Sequence, residues 1–119
     1  GSGMSRSNRV TARLLVELLR GMHLDPSRGP VYLASLSEAG ENGTLQQRLD
    51  TLAGKVYGKS GYLNGVSTLS GFLIIPAEAS ETGKTRTLGF SFLFNGFKPP
   101  LYNKDMKRVQ NALVGAIDK

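Results

Sequence analysis

A chain of 119 residues is long enough for one domain with a real apolar core, so neither a disulfide nor a metal staple is required. The absence of Cys excludes thiol nucleophiles, Cys-ligated zinc and disulfides, and the single His stands at no metal-ligand spacing. A formal net charge of +6 invites an anionic partner, but the cations are scattered among acids with no aromatic-interleaved basic stripe, which argues against nucleic acid.

Taken in order, Thr11 predicts the cap of a helix whose Leu14, Leu15, Leu18, Leu19 and Met22 form an apolar face, with Arg13, Glu17 and Arg20 on the other side and Gly21 as its stop. Residues 23–30 contain Asp25-Pro26-Ser27-Arg28-Gly29-Pro30 and read as a loop, with His23 in a surface or packing role. A short apolar run at 31–36 and a polar, Gly-containing loop at 37–44 follow, then a short helix over 45–52. Three strands are expected at 55–59, 66–75 and 87–94. The first two are joined through Gly61-Tyr62-Leu63-Asn64-Gly65 and the last two by a polar loop over 76–86, which makes an antiparallel meander.

Leu88, Phe90, Phe92 and Phe94 alternate with Thr87, Gly89, Ser91 and Leu93, so one face of that strand is strongly apolar and the other small enough for a helix to lie on. In the middle strand Leu69, Leu73 and Ile75 share one face and Val66, Phe72 and Ile74 the other, which implies cover on both sides. After Pro99-Pro100, the spacing of Met106, Val109, Ala112, Leu113, Ala116 and Ile117 predicts an amphipathic C-terminal helix capped by Asn103. The order is that of an α+β layer: about three antiparallel strands packed with N-terminal and C-terminal helices, in one unit over 1–119. No run approaches the roughly 18 apolar residues of a membrane span, and no signal peptide is evident.

The residues that carry chemistry are Lys59-Ser60-Gly61, at what reads as the end of the first strand. A cation, a hydroxyl and a bare backbone side by side suit an enzyme that holds a substrate carboxylate while an acyl group is transferred. Tyr57, Tyr62 and Tyr102 read as core or rim packing rather than a stacking platform.

The run from Gly58-Lys59-Ser60-Gly61-Tyr62-Leu63 to Ser70-Gly71-Phe72 resembles the Lys-Thr-Gly strand and the following strand of the class C penicillin-binding D-alanyl-D-alanine carboxypeptidases. Ser35-Leu36-Ser37-Glu38-Ala39-Gly40-Glu41-Asn42-Gly43-Thr44-Leu45 resembles the loop ahead of that strand, with Asn42 where relatives usually carry Asp. Gly1-Ser2-Gly3-Met4-Ser5-Arg6-Ser7-Asn8-Arg9-Val10-Thr11 resembles the Gly-Ser-Gly-Leu-Ser segment of the same family and the helix after it, although a Gly1-Ser2-Gly3 tag ahead of Met4 is the other reading. The resemblance implies a partial transpeptidase-like fold and a serine peptidase that acylates on the penultimate D-Ala of a peptidoglycan stem peptide. Lys59 would then supply positive potential, Ser60 a hydrogen bond to the terminal carboxylate, Gly61 an unobstructed wall, and the Tyr62 N–H half of an oxyanion hole.

The family also needs Ser-x-x-Lys, pairing nucleophile and base on one helical turn, and Ser-x-Asn. No serine here has Lys three residues on or Asn two residues on. The Tyr62-Leu63-Asn64 triplet lies in the wrong place to replace them. The expectation is therefore a C-terminal piece of a D-Ala-D-Ala carboxypeptidase or endopeptidase, without the helical subdomain and nucleophile, inactive alone, from a truncated reading frame or proteolysis. No cofactor and no metal are implied. Expected partners are a peptidoglycan peptide or β-lactam in the complete enzyme, and the missing N-terminal part or a second copy at an exposed sheet edge; the parent would work in the bacterial cell envelope. The rival reading is a non-catalytic module that binds cell wall or another polyanion.

Overall fold

The computed structural model describes residues 3–118, so Gly1 and Ser2 of the first matched segment lie outside the described residues. In chain order the elements are α1 (Ala12–Leu24), α2 (Gly29–Ser35), β1 (Ser37–Glu38), β2 (Val56–Leu63), β3 (Val66–Ile75), β4 (Arg86–Asn95) and α3 (Asn103–Ile117). The strands form one antiparallel sheet in the order β1-β2-β3-β4. Contacts of α1 with β4 and β3, and of α3 with β3, tie helices to this sheet, and the α+β class read from the sequence holds. No described helix is long and apolar enough to cross a membrane.

Both faces of the sheet are covered, as the strand patterns require. Val56, Leu69, Leu73, Ile75 and Phe90 pack with Val114 of α3 and with Leu45, Leu49 and Leu52 of the segment ahead of β2. On the opposite face Phe72 meets Leu19 of α1 and Leu36, flanked by Tyr32, Leu33 and Tyr57. Full burial of a side chain such as Leu69 or Leu73 stabilises by roughly 1.5–3 kcal/mol, so these layers hold the sheet against its helices. His23 sits over this second cluster, its ring centroid 5.7 Å from that of Phe72.

Several elements differ from expectation for local reasons. Helix α1 passes through Gly21 and ends at Leu24, because Asp25 in an extended conformation caps it and then binds the next turn: its Oδ1 accepts from the Ser27 and Arg28 N–H groups, at 2.9 Å each. Helix α2 occupies part of the expected loop and apolar run, Pro30 being tolerated in a first turn that needs no N–H. A fourth strand appears where a loop is expected, since Ser37 and Glu38 pair with Gly58 and Tyr57. The helix expected over 45–52 is two short 3-10 turns, Gly43–Leu45 and Asp50–Leu52, separated by Leu49 with φ at 59°. A left-handed leucine is strained, and its buried side chain holds it there.

Two shifts matter for the site. Strand β2 does not stop at residue 59 but runs to Leu63, with a tight turn at Asn64-Gly65 in which Gly65 takes φ +77°. Lys59-Ser60-Gly61 is therefore inside a strand. Helix α3 is rotated from its expected face: Gln110 and Val114 are 0% exposed, while Val109 and Leu113 remain 45% and 39% exposed. The reason is polar. Gln110 donates through Nε2 to Ser67 Oγ of β3 at 3.2 Å and accepts from Arg48 Nη2 at 3.0 Å, so the helix docks through an amide that apolar periodicity does not count.

Candidate active site

Strand pleating decides where each candidate residue points. Val56, Gly58, Ser60 and Tyr62 alternate with Tyr57, Lys59, Gly61 and Leu63 along β2. Pairing of Ser60 with Leu69 puts Ser60 on the α3 face of the sheet, and pairing of Lys59 with Ser70 puts Lys59 on the α1 face beside Thr68. The cation and hydroxyl thus leave the strand on opposite faces and share only its edge.

That edge is open. Strand β1 pairs only with Tyr57 and Gly58, and the Ala39 N–H bonds the Val56 carbonyl at 2.9 Å. Continuing the alternation of an antiparallel ladder, the N–H and C=O of Ser60 and Tyr62 point outward past the end of β1, while those of Lys59 and Gly61 are taken by β3. The Lys59 ammonium curls back to donate to the Ser60 carbonyl, which brings its charge to the same open edge.

Neighbouring segments complete the wall. Ser60 Oγ donates to Thr44 Oγ1 at 2.7 Å, and the Thr44 N–H donates to Ser37 Oγ at 3.3 Å. Asn42 Oδ1 accepts from the Glu38 N–H at 3.0 Å, so its service here is hydrogen-bond acceptance, which an amide performs as well as a carboxylate. Arg6 Nη1 donates to the Asn64 carbonyl at 3.0 Å and anchors the N-terminal segment against the β2–β3 turn. Gly61 is bare for a cross-strand reason: a Cβ there would strike Thr68 Oγ1.

The result is an open groove of about 620 Å³ lined by Met4, Thr44, Lys59, Ser60, Tyr62 and Lys107, among others, with no Asp or Glu in its lining. Tyr62 is 58% exposed at its rim. The three sequence segments that carry the resemblance, far apart in the chain, converge on this groove through the Arg6–Asn64 and Ser60–Thr44 contacts. All four candidate residues lie along one strand beside it.

Sequence reasoning missed the second layer. Arg48 is 8% exposed and bonds Asn111 Oδ1 through Nε and Nη2 at 3.2 and 2.7 Å, besides Gln110. Burial pushes its guanidinium below the usual arginine range, since removing a cation from water disfavours the charged form. A lone Arg in a polar stretch carries no signal of this; a Gln four residues from both Met106 and Val114 on the helix does. Thr44 likewise reaches the site through the turn at Gly43–Leu45, where Ser37 Oγ of β1 accepts its N–H.

The groove lies beside a sheet edge walled by the Lys59-Ser60-Gly61 strand. The whole chain, residues 1–119, matches the profile of the D-Ala-D-Ala carboxypeptidase 3 (S13) family, and the protein belongs to that family. It is 39% identical over 107 residues to the D-alanyl-D-alanine carboxypeptidase of Actinomadura sp. (strain R39), covering 84% of this chain and 18% of that protein. It is 31% identical over 124 aligned residues to penicillin-sensitive carboxypeptidase A of Dictyostelium discoideum, covering 100% of this chain and 23% of that one. In fold it is similar to penicillin binding protein 4 (dacB) from Haemophilus influenzae, solved in complex with a β-lactam, with a TM-score of 0.78 at 22% identity over 100% of this chain and 28% of that one. The chain thus spans about a fifth of the curated relatives it matches.

Proposed function

We propose that this chain supplies one wall of the active site of a serine-type D-Ala-D-Ala carboxypeptidase or endopeptidase acting on peptidoglycan stem peptides. The observation that carries the reading is the open edge of β2, with the backbone of Ser60 and Tyr62 turned outward beside Lys59. An extended peptide would lie along this edge as an added strand, its backbone pairing with the outward-facing groups. The Lys59 ammonium would attract the terminal carboxylate, and the Ser60 hydroxyl would turn from Thr44 to donate to it. The Tyr62 N–H would then face the carbonyl under attack and stabilise the oxyanion as it forms.

The nucleophilic serine and its base have to come from residues outside this sequence, which contains no Ser-x-x-Lys and no Ser-x-Asn. The unit over 1–119 is read as the C-terminal part of a transpeptidase-like domain, its parent working in the bacterial cell envelope. Exposed Leu14 and Leu18 on α1, Val109 and Leu113 on α3, and the uncovered outer edge of β4 support cover by the rest of the protein or by a second copy. A clean monomer by light scattering at high concentration would count against cover by a second copy.

Intact-mass analysis after exposure to benzylpenicillin tests the catalytic reading. No covalent adduct is expected on this chain. One is expected when an upstream region bearing Ser-x-x-Lys is joined to it, and acylation of that complete protein falls on Lys59→Ala. An adduct on the chain alone, or a complete protein acylated equally well without Lys59, overturns the reading.

A further inference from the structure

A second groove, of about 520 Å³, adjoins the first and shares Thr44, Arg48 and Lys107 with it. Its other cations are Lys104 and Arg108, and no Asp or Glu lines it. Lys104, Lys107, Arg108 and Asn111 follow a three-and-four spacing, so they form one stripe of α3 facing the segment that carries Thr44 and Arg48. Asp105, the acid in the first turn, is spent elsewhere: its Oδ2 accepts from the Tyr102 N–H at 2.8 Å.

Arg48 is the fixed part of this groove. Three acceptors of α3, Gln110 Oε1, Asn111 Oδ1 and the Lys107 carbonyl, hold its Nε and Nη2. Its Nη1 bonds no described group. Asn103 Oδ1 is the one buried side-chain polar atom without a partner among the described residues, so Nη1 is reachable from solvent. The ion pairs among the described residues are Arg28–Asp25 and Lys55–Asp118, and neither involves Arg48. A guanidinium nine-tenths buried, with no counter-ion among the described residues and with three exposed cations lining the same groove, is costly to hold without an anion. Like charges three and four apart on a helix add to that cost.

We propose that this groove is an oxyanion subsite, in which Arg48 Nη1 donates to a carboxylate or phosphate group of the ligand while Lys104, Lys107 and Arg108 surround its charge. Planar donors held in place suit an oxyanion better than freely rotating surface lysines do. The shared lining puts the bound anion beside Ser60 and Thr44, so a ligand in the first groove with a second acidic group reaches both. The subsite itself does not depend on the assignment of Lys59 to a terminal carboxylate.

Nitrogen-edited NMR of the full 119-residue chain, recorded at constant ionic strength, tests the proposal with inorganic phosphate and glutarate as separate probes. Saturable shifts of the Arg48 Nε–H signal and of the amides around Thr44 and Lys107 are expected, and whichever probe saturates at lower concentration identifies the source of the oxyanion. Affinity should fall about tenfold in Lys104→Gln/Lys107→Gln, which keeps the buried network intact, and stay within about twofold of the parent in Lys59→Ala. Shifts that never saturate, that spread evenly over all surface cations, or that persist unchanged in the double variant overturn the subsite. Binding lost in Lys59→Ala but retained in the double variant places the anion in the first groove and also overturns it.

Discussion

Ser60 Oγ donates its one proton to Thr44 Oγ1 at 2.7 Å, which ties the β2 wall to the turn at Gly43–Leu45. The hydroxyl is thereby oriented within the groove before any ligand arrives. On the proposed function a ligand carboxylate would compete with this neutral acceptor, and a charge-assisted bond is the stronger of the two.

In the complete enzyme, Ser60→Ala should slow acylation by a carboxylate-bearing β-lactam roughly 10- to 150-fold, the range of a hydrogen bond to a charged group worth ~1.5–3 kcal/mol. Ser60→Thr should restore most of the rate, since it keeps the hydroxyl. Stopped-flow acylation kinetics measure both, and equal rates for the Ala and Thr variants would remove Ser60 from the carboxylate site.

Gly61→Ala should destabilise the fold by about 1–3 kcal/mol, because its Cβ strikes Thr68 Oγ1 across the strand pair. Adding Thr68→Ala should recover most of that loss. Urea denaturation of the double-mutant cycle reads the coupling, and purely additive effects would mean that the collision is relieved elsewhere.

Gln110→Ala should cost about 1–3 kcal/mol, since it strips a buried acceptor from Arg48 and a donor from Ser67. Thermal unfolding followed by circular dichroism checks this. The same variant should sharpen the dependence of stability on added phosphate if Arg48 then turns further toward the second groove.

The Asp25 carboxyl is held below its ordinary value of 3.8, chiefly by backbone hydrogen bonds from Arg28 and Ser27. Its folded form binds the proton less tightly than the unfolded chain does, so its stabilising contribution is complete above that value and is lost as pH falls through the lower folded one. Carbon-detected NMR titration should place the Asp25 midpoint below 3.8, and Asp25→Ala should lower Tm at pH 7 more than Asp25→Asn, which keeps an acceptor.

Much of this architecture was legible in the chain. Phe90 and Leu69 lie on the core faces that alternation assigns them, Thr11 accepts from the Leu14 N–H as its cap position implies, and Gly89 gives α1 the room that a small-residue face promises. The strand over 66–75 has the bounds its pattern predicts. Punctuation was less reliable: Gly21 sits inside a helix because Asp25 provides a stronger end, and Pro30 opens α2 rather than breaking it. The rotation of α3 was hidden because a buried Gln scores as polar until its partners, Arg48 and Ser67, are known.

By itself the sequence determined the α+β class, the family and the candidate residues, because these rest on local periodicity and on side-chain chemistry in fixed order. Lys59-Ser60-Gly61 was visible as a possible wall, but its geometry was not. Only the tertiary structure decided that it lies within β2, that Lys59 and Ser60 leave on opposite faces, and that the backbone of Ser60 and Tyr62 meets an open edge. Those facts depend on where β1 stops and where the β2–β3 turn falls, which pairing between distant segments sets and no local pattern records.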